Sequence, residues 1–73
     1  VSQSLAEAAQ WYAKAAQRGH ANAQNILARM LVEGEGVAQD KDEALRLFKL
    51  AAAQEHGEAV ENIAAYFPNV VTN

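Results

Sequence analysis

Two stretches decide the fold: Glu-Ala-Ala-Gln-Trp-Tyr-Ala-Lys-Ala-Ala-Gln-Arg-Gly-His, residues 7–20, and Glu-Ala-Leu-Arg-Leu-Phe-Lys-Leu-Ala-Ala-Ala-Gln-Glu-His, residues 43–56. They lie 36 positions apart. Slid by that distance, Glu7 falls on Glu43, Ala8 on Ala44, Ala15 and Ala16 on Ala51 and Ala52, and His20 on His56. The match extends in both directions. Val1 falls on Val37, Gln3 on Gln39, Ala23 on Ala59 and Ala28 on Ala64. Conservative pairs fill the gaps: Tyr12 with Phe48, Leu27 with Ile63, Met30 with Tyr66 and Leu31 with Phe67. A fixed period between about 20 and 50 residues, with no insertion, marks a stacked-repeat architecture.

Each period divides into two helices. Ser4 can cap a first helix, with Glu7 three residues on, and Asp40 and Glu43 repeat that pattern. Leu5, Ala8, Ala9, Trp11, Tyr12, Ala15 and Ala16 form a stripe at helical spacing. Lys14 and Arg18 suit the negative end of the helix dipole, and Gly19 follows where a left-handed residue would end the helix. Helix two is expected over residues 21–33, broken by Gly34 and Gly36. Helix three is expected over 41–54. Helix four, over 58–67, should stop before Pro68, which lacks an N–H and disfavours helix in the residue before it. The tail from Asn69 to Asn73 is expected to be frayed or extended. The fold class is therefore all-α, a solenoid of antiparallel helix pairs, with repeat one about 1–36, repeat two about 37–67 and a tail 68–73.

Composition agrees. The chain has 73 residues, 51% of them apolar, and its 17 alanines make up nearly half of those. Alanine has the highest helix propensity and lets helices approach closely. A chain this short buries only about 60% of its unfolded surface, and scaffolds of this size usually lean on disulfides, a metal or a partner. With no cysteine, neither a disulfide nor a thiolate metal site is available. The lack of cysteine fixes no compartment, cytoplasmic or periplasmic and secretory alike.

Charge and motifs narrow the function classes. A net charge of −3, from 6 basic and 9 acidic residues without a basic run, disfavours nucleic acid. No apolar stretch is long enough to span a membrane. Val1 opens the chain without a starter Met or a signal-like segment, which points to a processed protein or a piece of a longer one. His20 and His56 occupy equivalent positions. One repeat spacing of roughly 10 Å should separate them, too far to share a zinc. They read as turn and helix-start residues. Glu33, Glu35, Asp40 and Asp42 do not have the alternating spacing of a calcium loop. Gly34 and Gly36 lack the Lys-Ser/Thr of a phosphate loop. Ser2, Ser4 and Thr72 have no adjacent base. No cofactor and no catalytic machinery is expected. Trp11, Tyr12 and Phe48, at helical spacing among alanines, read as inter-helix core rather than a cleft.

Three motifs resemble the Sel1-like repeats: Glu7-Ala8-x-x-Trp11-Tyr12-x-Lys14-Ala15-Ala16, Gly19-His20-Ala21-x-Ala23-Gln24, and Gly34-x-Gly36-Val37-x-Gln39-Asp40. Together they cover roughly residues 1–67. The resemblance implies antiparallel helix pairs stacked into a right-handed superhelix related to tetratricopeptide repeats. It implies a role in protein–protein interaction or complex assembly, in a family abundant in bacteria. Three departures stand out. Glu55 replaces the glycine found at Gly19, with Gly57 two residues later. Asn25 and Ile26 stand where the pattern has Tyr-Asn, although Asn62 keeps the Asn. Pro68-Asn69-Val70-Val71 replaces the glycine loop, which suggests that the array ends or changes partner there.

In tetratricopeptide phase, helices two and four resemble the helices that line the concave face. The residues beside their core stripes would then meet a protein or peptide partner: Asn22, Asn25, Ile26 and Arg29 on helix two, with Glu58, Glu61, Asn62 and Ala65 on helix four. Amides can bond an extended backbone, and Arg29 can grip a carboxylate bidentately. The plainer reading is a solvated helix face. A structural spacer, end cap or homodimerisation segment is the rival function. Repeat units bury apolar surface against their neighbours. Leu5, Trp11, Tyr12 and the alanines of helix one exceed what helix two can cover. A further helix is therefore expected there, from a longer chain or a second copy, with helix four looking more like a terminus.

Overall fold

The computed structural model describes residues 4–70, and the structure of this segment starts from its caps. The Ser4 hydroxyl accepts from the Glu7 N–H at 3.1 Å and opens α1, Leu5–Gln17. The Asp40 carboxylate accepts from the Glu43 N–H at 3.1 Å and opens α3, Lys41–Ala53. The two helices also end alike. His20 N–H donates to the Ala15 carbonyl and Gly19 N–H to that of Ala16, while His56 and Glu55 repeat both bonds onto Ala51 and Ala52. This closure needs a left-handed residue in the turn. Gly19 supplies it at φ 91°, and Glu55 supplies it at φ 64° although it carries a Cβ. Gly57 does not take over the turn; it is the first residue of α4.

The even helices are α2, Ala21–Glu33, and α4, Gly57–Tyr66. Their bounds lie within one residue of those expected, as do those of α3, and α1 opens at the expected cap, Ser4. His20 and His56 stand at the two N-caps, and the His56 Nδ1 accepts from the Ala59 N–H at 3.2 Å. After α2 the chain turns through Gly34 (φ 71°) and Gly36 (φ 75°). The loop is then tied back to the end of α2. Asp40 N–H donates to the Leu31 carbonyl at 2.9 Å, and the Gln39 side-chain amide donates to that of Val32 at 2.8 Å. Gly36 backs onto the start of α1, where a Cβ would collide with the Leu5 carbonyl.

Consecutive helices pack in order, α1 on α2, α2 on α3 and α3 on α4. A lighter contact joins α2 to α4, and α1 and α3 do not touch. The main core lies where α2, α3 and α4 meet, around Ala28, Ala44, Leu47, Phe48, Ala51 and Ile63. Phe48 is wholly buried; its ring stacks on Tyr66 at 6.0 Å and meets Phe67 edge-on at 6.2 Å. Buried Gln24 stitches three helices. Its amide donates to the Ala16 carbonyl at 3.2 Å, and its oxygen accepts from Gln54 at 3.0 Å.

One core expectation fails. Phe48 is core and Tyr12 is half-buried, but Trp11 is 65% exposed. Helical spacing puts Trp11 on an apolar stripe, yet among the described residues no helix lies against that side of α1. Val1 and Gln3 of the register, and Val71 to Asn73 of the tail, lie outside the described residues; Asn69 stands in a turn, and Val70 folds back with its N–H on the Phe67 carbonyl at 3.0 Å. No helix among the described residues is long and apolar enough to cross a membrane.

Candidate interaction surface

Helices α2 and α4 run parallel, and a polar seam joins them. Asn25 on α2 is fully buried, which no exposed groove residue would be, and both ends of its amide are used. Its Nδ2 donates to Glu58 Oε1 at 3.2 Å, and its Oδ1 accepts from Asn62 Nδ2 at 2.8 Å. Two turns further along α2, the Glu33 carboxylate accepts from the Tyr66 hydroxyl at 2.9 Å. Buried amides are retained only when bonded, because an unpaired one costs about 1–3 kcal/mol. The seam thus fixes the spacing and register of the two helices.

Arg29 sits on the same helix stripe, one turn past Asn25 and one turn before Glu33. It is exposed, and its guanidinium has no hydrogen-bond partner among the described residues. It also lines, with Ile26, Tyr12 and Met30, a cleft of about 280 Å³ between α1 and α2. Of the residues expected to meet a partner, the structure brings Asn25, Glu58 and Asn62 together. Asn22, Glu61 and Ala65 are exposed on the same two helices. Asn25 is unable to touch a partner itself: it positions Asn62 and Glu58.

Sequence reading missed a second surface. Because α1 and α3 stand apart, α2 forms the floor between them. Two adjoining clefts of about 400 and 380 Å³ share Ala13, Leu27 and Glu43. Alanines of α1 make one wall, Arg46, Leu47 and Leu50 extend the other, and Leu31 continues the floor. Glu43 and Arg46 pair across one turn at 2.5 Å. The hydrogen bond from Arg46 lowers the Glu43 carboxyl below its ordinary pKa, and Glu43 in turn raises that of Arg46. No local pattern marks it, because its width is set by how far apart α1 and α3 stand on α2.

Nothing in these surfaces has the composition of a metal site: no group of three or more His, Cys, Asp or Glu side chains converges among the described residues. Two of the acidic residues around the α2–α3 connection have structural partners, Asp40 as a helix cap and Glu33 on Tyr66.

No curated protein and no solved structure matches the chain. A family model described as the Sel1 repeat does match, at residues 1–20 and 21–56. The second match spans one full period and contains α2 and α3, the pair joined by the glycine loop, and the first contains α1. This unit has the same period as the register described above, cut at a different point. With four helices in the expected order and matches over most of its length, the chain belongs to the Sel1 repeat family, whose repeats are generally protein-interaction modules.

Proposed function

We propose that this chain is a protein-interaction module that meets its partner on the α2/α4 face, with Arg29 as the anchor. The observation that carries this reading is the arrangement around Arg29. Two hydrogen-bonded ties, Asn25 with Glu58 and Asn62 on one side and Glu33 with Tyr66 on the other, hold the helices around an exposed guanidinium. An exposed cation without an internal partner suits bidentate binding of a carboxylate. Asn22 and Glu61, exposed on the same two helices, supply further polar groups for an extended backbone. The partner is a peptide or protein with an acidic side chain or a C-terminal carboxylate.

The apolar channel between α1 and α3 supports a second reading, in which the partner inserts a hydrophobic strip over Leu27 and Leu31. A spacer or end cap, the reading from a different class, would need neither surface. Co-precipitation from one lysate with wild-type, Arg29→Glu and Leu27→Gln chains separates the three. Loss of a specific protein on Arg29→Glu with helicity intact supports the α2/α4 face. Loss on Leu27→Gln alone supports the channel. A protein retained by all three variants would show that neither surface binds it.

A further inference from the structure

The two histidines stand at equivalent helix starts but differ in what their rings do. Both are N-caps, His20 of α2 and His56 of α4. His20 is exposed, and its ring makes no capping bond. His56 is half-buried, and its Nδ1 accepts from the Ala59 N–H at 3.2 Å. A ring nitrogen accepts only while it carries no proton. Ala59 is wholly buried, so water does not replace a lost acceptor; the N–H keeps only the His56 carbonyl, at 3.1 Å. A protonated Nδ1 would also turn a donor toward that N–H. The same turn holds Glu55 at φ 64°, where its twin is a glycine. The start of α4 therefore carries strain that the start of α2 lacks.

We propose that the α3–α4 turn is an acid-sensitive joint. Protonation of His56 removes the ring acceptor from Ala59 and loosens the first turn of α4, together with the Glu58 tie to Asn25 that this turn carries. Histidine changes charge between about pH 5 and 8, so the bond is present at neutral pH and is lost on acidification. The charged groups around the ring are few. Helix α4 packs on α3 and α2. Residues 51–54 of the α3 end and 21–25 of α2 hold the groups bonded to this turn, the Ala51 and Ala52 carbonyls and the Asn25 amide, and carry no charged or titratable side chain. Glu55 and Glu58, both exposed, flank His56 in sequence and favour a protonated ring, while the positive end of the α4 dipole opposes it. Salt screens both effects and leaves the loss of the bond. The joint governs how firmly α4 starts, whether or not Arg29 meets a partner.

Thermal unfolding in high salt at about pH 7.5 and about pH 5 tests this on wild-type, His56→Asn and His20→Asn chains, followed by circular dichroism. Asparagine caps a helix without titrating in that range. Carboxylates elsewhere respond to acid alike in all three. The wild-type Tm should fall between the two pH values by about 2–4 °C more than that of His56→Asn. His20→Asn should fall as far as wild type. A pH titration of the isotope-labelled wild-type chain by nuclear magnetic resonance reads the bond itself. The Ala59 amide proton should shift along the same curve as the His56 ring, and by more than the Ala23 amide shifts along that of His20. Equal falls in wild-type and His56→Asn chains overturn the proposal. So does a His20→Asn fall as small as that of His56→Asn, or an Ala59 amide that does not follow the His56 ring.

Discussion

Replacing Glu55 by glycine should make this protein more stable, and the size of the effect follows from the twin turns. Gly19 and Glu55 occupy equivalent positions and make the same backbone bonds, but Glu55 holds φ 64° with a Cβ attached. A non-glycine residue in the left-handed region costs roughly 1–2 kcal/mol. Glycine avoids that cost but loses more freedom on folding, by about 0.5–1 kcal/mol. Glu55 also places a negative charge at the negative end of α3, and removing it restores about 0.3–0.5 kcal/mol. The side chain is exposed, so little packing is lost. The sum is a gain of about 1 kcal/mol, or about 4–8 °C in Tm for a domain of this size. Thermal unfolding followed by circular dichroism measures it, with added salt removing the charge part. The reciprocal change, Gly19→Ala, should cost about 1 kcal/mol, because nothing lies within 4 Å of a Cβ there and only backbone conformation is at stake. An unchanged or lower Tm for Glu55→Gly would refute the reasoning and would mean that the turn re-registers around Gly57.

Gly36→Ala should destabilise more than Gly19→Ala, by over about 2 kcal/mol, because strain adds to a collision with the Leu5 carbonyl; urea titration of the two variants checks the order. Phe48→Ala should cost about 3–5 kcal/mol and broaden the unfolding transition, since the ring is wholly buried against Tyr66 and Phe67. Glu43 has a folded pKa below its unfolded one, so its contribution is present above the unfolded value and is lost as pH falls through the folded value. The pair is exposed, so Glu43→Gln should flatten the acid side of the stability profile only slightly, and high salt should erase the difference.

The helices were legible because caps, glycines and Pro68 are local signals, and α2 spans the residues that its stripe and flanking glycines indicated. The turn at Glu55 was legible too, since the register named its twin. Trp11 was not. Spacing assigns a residue to a face of its helix, but its burial depends on whether another helix lies there. Asn25 failed for a related reason: a mid-helix asparagine reads as surface until a second helix brings Asn62 and Glu58 to it. The α1/α3 channel depends on the distance between two helices that do not touch, and no local pattern encodes that.

The central claim is that the α2/α4 face around Arg29 binds a protein or peptide. Its most direct test is an amide chemical-shift map of the isotope-labelled chain, titrated with peptides selected on it from a random library that includes free C-terminal carboxylates. Selected peptides should carry an acidic group, shifts should cluster at Asn22, Arg29, Glu61 and Asn62, and Arg29→Glu should abolish them with the rest of the spectrum unchanged. Shifts confined to Ala13, Leu27 and Leu50, or no peptide selected at all, would contradict it.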